Sequence, residues 1–491
     1  MPSARIFQWT LACAENQDNP CLQCPVGLTL ESEKFLWEVH ELYQRLLEIG
    51  AMVVKRAEEL GASQAEAYVA ASRSFTIDVE NNAIKSASEK RDAGCGIRSV
   101  VKKGGIGFAY VTTIQDEDLF EAAAKSVKLA KVSVPDPDFV ALPSYDGIYP
   151  AVKGLFDSAI RNLSSEGAAE LIMRTVDATN EAVDTKQTAV EAQLNASTGA
   201  KAIVNSLGIS GSVETAFMFI NSSPTVKDDT EQTSSYEFQV SRNLKSIDPE
   251  WVGSTAGRNA INNLGSRTIE GGDMPIILTP LAVSTIIGGG FGGAINAEEI
   301  QYGRSYIADA LGESIASEAL SIMDDSHIAG GIGSRPFDAE GVPTQRTQIL
   351  HGGVLKNILH NSYTANKDQV ENTGNASRPS YSGLPSISPS NIVIAPGKGS
   401  LDDLVSEIKK GILFMYTGDR PNMTTGDLSA MVMEGHYIKD GAIEHPVKNT
   451  LVGINMRDLL QRVHRVGADV RVTSTVVTPS IVVESARVTS G

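Results

Sequence analysis

Apolar residues between positions 35 and 60 return at helical spacing: Leu36, Val39, Leu42, Leu46, Leu47, Val53, Val54, Ala57 and Leu60. Gly61 follows as a stop, so a long amphipathic helix is predicted there. The period then shortens to two. The runs AEAYVAA, SFTIDVENN, AIKSASEKRD, CGIRSVVKKG and GIGFAYVTT alternate, and Asn81-Asn82 and Gly104-Gly105 supply the positive φ that tight hairpins need. An antiparallel meander follows from that pattern. Helical spacing resumes over 119–132, and Pro135, Pro137, Pro143 and Pro150 then mark a linker.

The second half opens with an amphipathic segment over 164–183, started by Ser164, Ser165 and Glu166. Strand-like runs come at 188–194, 212–220 and 236–240, and a further helix at 249–264. From Met274 onward, turn residues separate short strands, with helices near 401–411 and 456–463. Strands and helices alternate without a βαβ beat, so the fold class is α+β. We expect an N-terminal helix and antiparallel-sheet domain plus a larger, loop-rich, mostly antiparallel β domain. The divisions are an extension at 1–35, an N-terminal α+β domain at 36–150, a middle segment at 151–270 and a β-rich C-terminal domain at 271–491.

Composition narrows the function classes. The 491 residues are 42% hydrophobic and 21% charged, an ordinary globular mixture. Lys plus Arg 42 against Asp plus Glu 59 gives a net charge of −17, which argues against nucleic acid or an anionic membrane as partner. Four cysteines cannot frame a disulfide scaffold, and a reducing, cytoplasmic location is expected. Three of them, Cys13, Cys21 and Cys24, lie in the extension, where a zinc knuckle would need a fourth ligand such as His40; free thiols on a tail are the plainer reading. The apolar run after Arg5 is too short for a signal peptide and contains Gln8. The uncharged stretch 274–295 is long enough to span a bilayer, but Pro280, Ser284, Thr285 and five glycines within 288–293 point to a strand, a turn and a buried helix.

Short motifs give little chemistry. GGGFGG has the GxGxxG spacing, but INAEEIQYGRS follows it where a dinucleotide fold needs an amphipathic helix. The seven histidines are dispersed, and no two stand one helical turn apart beside a glutamate. No GxSxG elbow occurs, and Cys95 falls in a predicted strand as a buried structural cysteine. Acidic pairs at Asp324-Asp325 and at Asp338 and Glu340 in RPFDAEGVPT have the chemistry for a cation or for acid–base work; turn formation before Gly341 and Pro343 explains the latter more simply.

The order of longer motifs is more informative. VENNAIKSASEKRDAGCGIRSVVKKGGIGFAYVTT, DDS at Asp324, RPFDAEGVPTQRTQILHGGVLKNILHNSYTA, NTGNASRP, TTGDLS and VGADVR together resemble the TldD/PmbA family, specifically its PmbA (TldE) branch. The likeness runs from about residue 36 to the end. It implies two-domain α+β subunits that pair. TldD-type members are zinc peptidases with an HExxxH helix and a cysteine near the C-terminus; PmbA-type partners lack those ligands. Together they enclose a chamber where an unfolded peptide is held as an added β-strand and cleaved.

Anchored on GRSYIADALG, the resemblance places Gly288, Gly289 and Gly293 where the active branch has His, Glu and His, and no cysteine follows Gly467. Glycine costs about 1 kcal/mol per residue in a helix, so this segment is expected to unwind into loop and offer substrate a smooth wall. No catalytic residue, metal or cofactor is expected in this chain. Zinc is expected in a TldD-type partner, with which the chain forms a heterodimer unless it pairs with itself as a homodimer. Asp338, Glu340, His351 and His360 are candidate cleft residues. Two alternatives stand beside this reading: a metallopeptidase using His327, His351 or His360 with Asp338 and Glu340, and a peptide-binding or maturation module without proteolysis.

Overall fold

The computed structural model describes residues 39–102, 105–184, 186–229 and 231–491. The expectations on Cys13, Cys21, Cys24 and Gly104 lie outside the described residues.

The alternating runs of the first third fuse into strands much longer than they suggest singly. AEAYVAA and SFTIDVE form one strand, β1 (Gln64–Glu80), and the next two runs form β2 (Ala83–Val100). Asn81 (φ 51) and Asn82 (φ 67) turn between them, and Asn82 is fixed to a later strand through Val190 and Thr188. After β3 (Ile106–Val111) come β4 (Gln187–Asn205), β5 (Ser210–Lys227), β6 (Gln232–Ser234) and β7 (Glu237–Ser241). They make one sheet in the order β3-β2-β1-β4-β5-β6, with β7 also beside β5. β1 pairs with β4 from Glu66 to Val79, so strands on both sides of the proline-marked linker belong to a single sheet.

Helices cover one face of this sheet. α1 (Val39–Glu59) and α2 (Asp116–Val132) bury Leu46, Val53 and Val127 against Val69 and Ile97 at one end. After the single turn α3 (Ser158–Arg161), α4 (Ser165–Val183) and α5 (Pro249–Asn262) bury Ile172, Val176 and Val252 against Leu194 and Met218 at the other. Ser164 caps α4 by accepting from Gly167 N–H at 3.1 Å, and Asp248 caps α5 by accepting from Trp251 N–H at 2.9 Å ahead of Pro249. Cys95 lies fully buried in β2, where burial pushes its thiol up to about 12.

The rest of the chain is built on two large sheets and a two-stranded one, Ala376–Ser377 with Ser386–Ile387. Gly272–Leu278 is central to an eight-stranded sheet, between Ile481–Ser490 and Lys410–Tyr416; Ile322–Asp325 is central to a six-stranded one. Most pairings are antiparallel, the exceptions being Ile392–Ile394 with Val476–Thr478 and Lys410–Tyr416 with Gly272–Leu278. The helix expected over 401–411 stops at Ser406, because Lys410 onward is taken into a strand, paired antiparallel with Glu434–Lys439 and, from Ile412, parallel with Gly272–Leu278. The expected α+β class, with a mostly antiparallel C-terminal part, is observed. Among the described residues no helix is long and apolar enough to cross a membrane.

Polar junctions tie these sheets to the first. Arg242, just past β7, donates to the carbonyls of Gly331 (2.9 Å) and Ile332 (2.5 Å). Arg471 donates to Glu237 at 3.2 Å. Beside it, Glu434 is 4% exposed and accepts from Tyr236 N–H at 2.7 Å, and no cation faces it among the described residues. Burial raises the Glu434 carboxyl to about 8, with Glu237 adding to the effect. The folded state thus holds this proton more tightly than the unfolded chain, so its contribution to stability is complete below about pH 4.5 and is lost as pH rises through about 8. Glu434→Gln keeps the acceptor and removes the titration. Thermal melts from about pH 5 to 9 are expected to show a flatter profile for the variant, crossing above the parent on the alkaline side; parallel profiles would exclude the uncompensated carboxylate.

Candidate functional site

The glycine segment is helical, contrary to the expectation of an unwound loop. Pro280–Val283 starts an α-turn, Ser284–Gly289 continues as a π-helical turn, and Gly290–Ala294 closes as α-helix. Five glycines oppose this by roughly 5 kcal/mol. Ile286, Ile287, Phe291 and Ile295, each at most 1% exposed, supply roughly 6–12 kcal/mol by burial and decide the outcome.

That helix is also covered, so it offers no smooth wall to a substrate. A Cβ placed on Gly290 would lie 2.3 Å from Pro421 Cγ, one on Gly288 2.6 Å from Val476 Cγ2, and one on Gly293 2.7 Å from Met423 Cε. At Gly289 the nearest atom is Arg420 Nε at 3.4 Å. Val476 therefore occupies the volume that a ligating side chain at 288 would need, and Met423 the volume needed at 293. The residues present do not fit a zinc ion.

The family-bearing motifs converge elsewhere, on a buried polar cluster between the first sheet and the C-terminal part. Glu66 of β1, wholly buried, accepts from Arg98 of β2 at 2.7 Å and from Arg378. Arg98 also donates to Glu340 at 3.0 Å, and Glu340 accepts from Ser362 N–H at 2.9 Å. The paired arginines hold the Glu66 carboxyl below its ordinary value against the opposing effect of burial. Asp338, 1% exposed, accepts from the backbone N–H groups of Glu340, Val342 and Ala376 at 2.9 to 3.0 Å, forming the turn that the sequence suggests before Gly341. Burial, then the Glu340 charge, pushes its carboxyl up to about 7. Asp324 of the DDS motif accepts from Asn375 Nδ2 at 2.7 Å and Ser390 N–H at 2.6 Å. Arg98 Nε, Arg378 Nη1 and Asn375 Oδ1 are buried without hydrogen-bond partners among the described residues.

The four candidate cleft residues divide. Glu340 lines a cleft of about 240 Å³ with Arg98, Phe108 and Tyr363. Asp338 is spent on backbone donors. His360 lines a second cleft of about 240 Å³ with Arg346, Gln348 and Glu371; it is largely buried there, its Nδ1 3.2 Å from Thr364 Oγ1, and burial lowers its pKa. His351 stands exposed in the hairpin of Arg346–His351 and Val354–Leu355, apart from the others. His327 bonds Thr344 O through Nε2 at 3.0 Å. Among the described residues no three His, Cys, Asp or Glu side chains gather as a metal site. Sequence reasoning passed over Glu66, Arg98 and Arg378. The signal was a charge inside an otherwise apolar strand, in AEAYVAA and CGIRSVV.

Two alanine substitutions are expected to separate close packing from mere absence of side chains. Gly290→Ala drives a methyl into a proline ring and is expected to lower stability by roughly 1–3 kcal/mol, whereas Gly289→Ala meets only a movable arginine and gains up to about 1 kcal/mol of helix propensity. Chemical denaturation of both variants checks the order; equal effects would contradict the packing described.

Comparison with known proteins places this architecture. Three profiles of one family match in sequence: PmbA/TldA metallopeptidase domain 1 at residues 65–130, the central domain at 159–264 and the C-terminal domain at 271–490. The Metalloprotease TldD homolog of Buchnera aphidicola is 27% identical over 409 residues, covering 80% of this chain and 83% of the relative. Metalloprotease PmbA of Escherichia coli O157:H7 is 25% identical over 450 residues, covering 89% and 95%. The crystal structure of TldE from Thermococcus kodakarensis superposes with a TM-score of 0.80 at 25% identity, covering 89% of this chain and 99% of that one. With family profiles along most of its length and the same fold, this chain belongs to the PmbA/TldD family of metallopeptidase-related proteins.

Proposed function

We propose that this chain is a non-catalytic, PmbA/TldE-like cytoplasmic subunit that pairs with a TldD-type zinc metallopeptidase and completes the compartment in which an unfolded or modified peptide is cleaved. Whole-chain likeness does not choose the branch, since relatives named TldD and PmbA are similar to it at 27% and 25% identity. The observation that carries the reading is local. The helix aligned with the peptidase motif presents glycine at 288, 289 and 293, and the segment 420–423 fills the space beside it. A glycine side chain can neither ligate zinc nor act as general base, so the hydrolytic step falls to the partner.

The test is reconstitution of the full chain with the TldD-type protein of the same cell. Chelator-sensitive cleavage of an unfolded peptide is expected from the pair and not from this chain, with both subunits recovered in one complex. Cleavage by this chain alone would overturn the reading, as would a partner whose activity and elution are indifferent to it.

A further inference from the structure

The face of the first sheet opposite its helices is only half covered. At one end Tyr68 and Ile203 pack under Phe337 and Tyr381 of the C-terminal part. At the other end the face is an open trough, whose apolar part measures about 550 Å³ and whose polar part about 310 Å³, joined through Gln193 and Phe219.

Register sets out what this trough displays. Asp78, Gln193, Asn221 and Phe238 face one another in turn across β1, β4, β5 and β7, forming one row perpendicular to the strands. The next row is Thr76, Asn195, Phe219 and Val240. Each row thus runs from polar to apolar. Gln193 Nε2 donates to Asp78 Oδ1 at 2.8 Å, Asn195 Nδ2 donates to Thr76 Oγ1 at 2.8 Å, and Asn221 Oδ1 accepts from Gln193 N–H at 2.9 Å. These bonds orient the amides and leave Gln193 Oε1, Asn195 Oδ1 and Asn221 Nδ2 free among the described residues. Two acceptors and a donor, spread over these two adjacent rows, match the N–H and C=O groups of an extended backbone. Beyond them Phe219 and Phe238, with ring centroids 5.7 Å apart, form an apolar floor with Phe217. At the polar end Glu191 lines the same trough as Asp78, which also accepts from Ser86 Oγ at 2.8 Å; the nearby cation, Lys85, is ion-paired with Glu80 and feels the charges of Asp78 and Glu191 as well, so three carboxylates share one cation and the end stays net negative.

We propose that this trough binds an extended peptide lying across the strands, with an apolar side chain on the Phe217, Phe219 and Phe238 floor and a Lys or Arg side chain against Asp78 and Glu191. Three strand spacings from β7 to β1 come to roughly 14 Å, and an extended chain advances about 3.3 Å per residue, so the two side chains stand four residues apart on one face of the peptide. The proposal deepens the peptide-compartment reading and rests on it for its biological setting, but binding by this chain alone needs no zinc peptidase.

The test is fluorescence polarisation of the purified full chain with a labelled ten-residue Gly/Ser peptide carrying Phe and Lys four residues apart. Replacing that Lys by Glu is expected to weaken binding about ten-fold at low salt, and raising the salt to narrow the gap. Asp78→Asn with Glu191→Gln is expected to abolish the preference for Lys over Glu while leaving a Phe-only peptide unaffected. Phe219→Ser is expected to weaken every peptide about ten-fold; should it fail to fold, Phe238→Ser serves the same purpose. Affinity indifferent to peptide charge, or unchanged in the carboxylate and phenylalanine variants, would overturn the proposal, as would cleavage by the reconstituted pair with no peptide bound at this trough. Trough binding with no partner-dependent cleavage would uphold it and sink the subunit reading instead.

Discussion

The relative placement of the first sheet and the C-terminal part depends on one buried ion cluster. Glu66 and Arg98 stand opposite each other on β1 and β2, and Arg378 and Glu340 reach them from more than 240 residues away in the chain. Buried charges of this kind contribute little net stability compared with a hydrophobic replacement, but removing one partner strands the others at roughly 3–5 kcal/mol. Such a cluster therefore selects geometry more than it adds stability. Arg378 lies over the Tyr68 ring at 5.2 Å, and Tyr381, three residues on, donates to Asp92 of β2, so the chain carrying Arg378 is fixed across the sheet on which Glu66 sits. This covers one half of the sheet face and leaves the other half open.

The same economy explains the glycine helix. A segment without side chains permits 420–423, Pro389 and Val476 to approach a helix backbone far more closely than a ligand-bearing helix would allow. Gly288, Gly290 and Gly293 thus make this helix a packing surface, while the buried charges gather instead around Glu66 and Arg98.

The sequence disclosed what local physics controls. Period-3.6 segments became α1, α2, α4 and α5, with α4 starting at its Ser164 cap, and period-2 runs became the strands of the first sheet. The class and the mostly antiparallel character followed. Decisions made by distant contacts were not visible. The fusion of short runs into β1 is matched by β4, more than 100 residues on; the helicity of 284–294 depends on buried isoleucines and Phe291 outweighing glycine propensity; the end of the 401–406 helix depends on strand pairing with Glu434–Lys439 and Gly272–Leu278. Among the site residues, the turn at Asp338 was legible from its Asp, Gly and Pro. The burial of His360 and the isolation of His351 were not, since nothing in their neighbouring residues records which element folds over them.

Whether the larger part of this chain can hold a cation at all is the question on which the account turns. Zinc-edge anomalous scattering from crystals of the full chain grown with zinc addresses it directly, because it locates an ion and does not merely count it. No anomalous peak is expected within the C-terminal part, whatever the N-terminal cysteines bind. A peak beside the 284–294 helix, or among Asp338, Glu340 and the histidines, would contradict it.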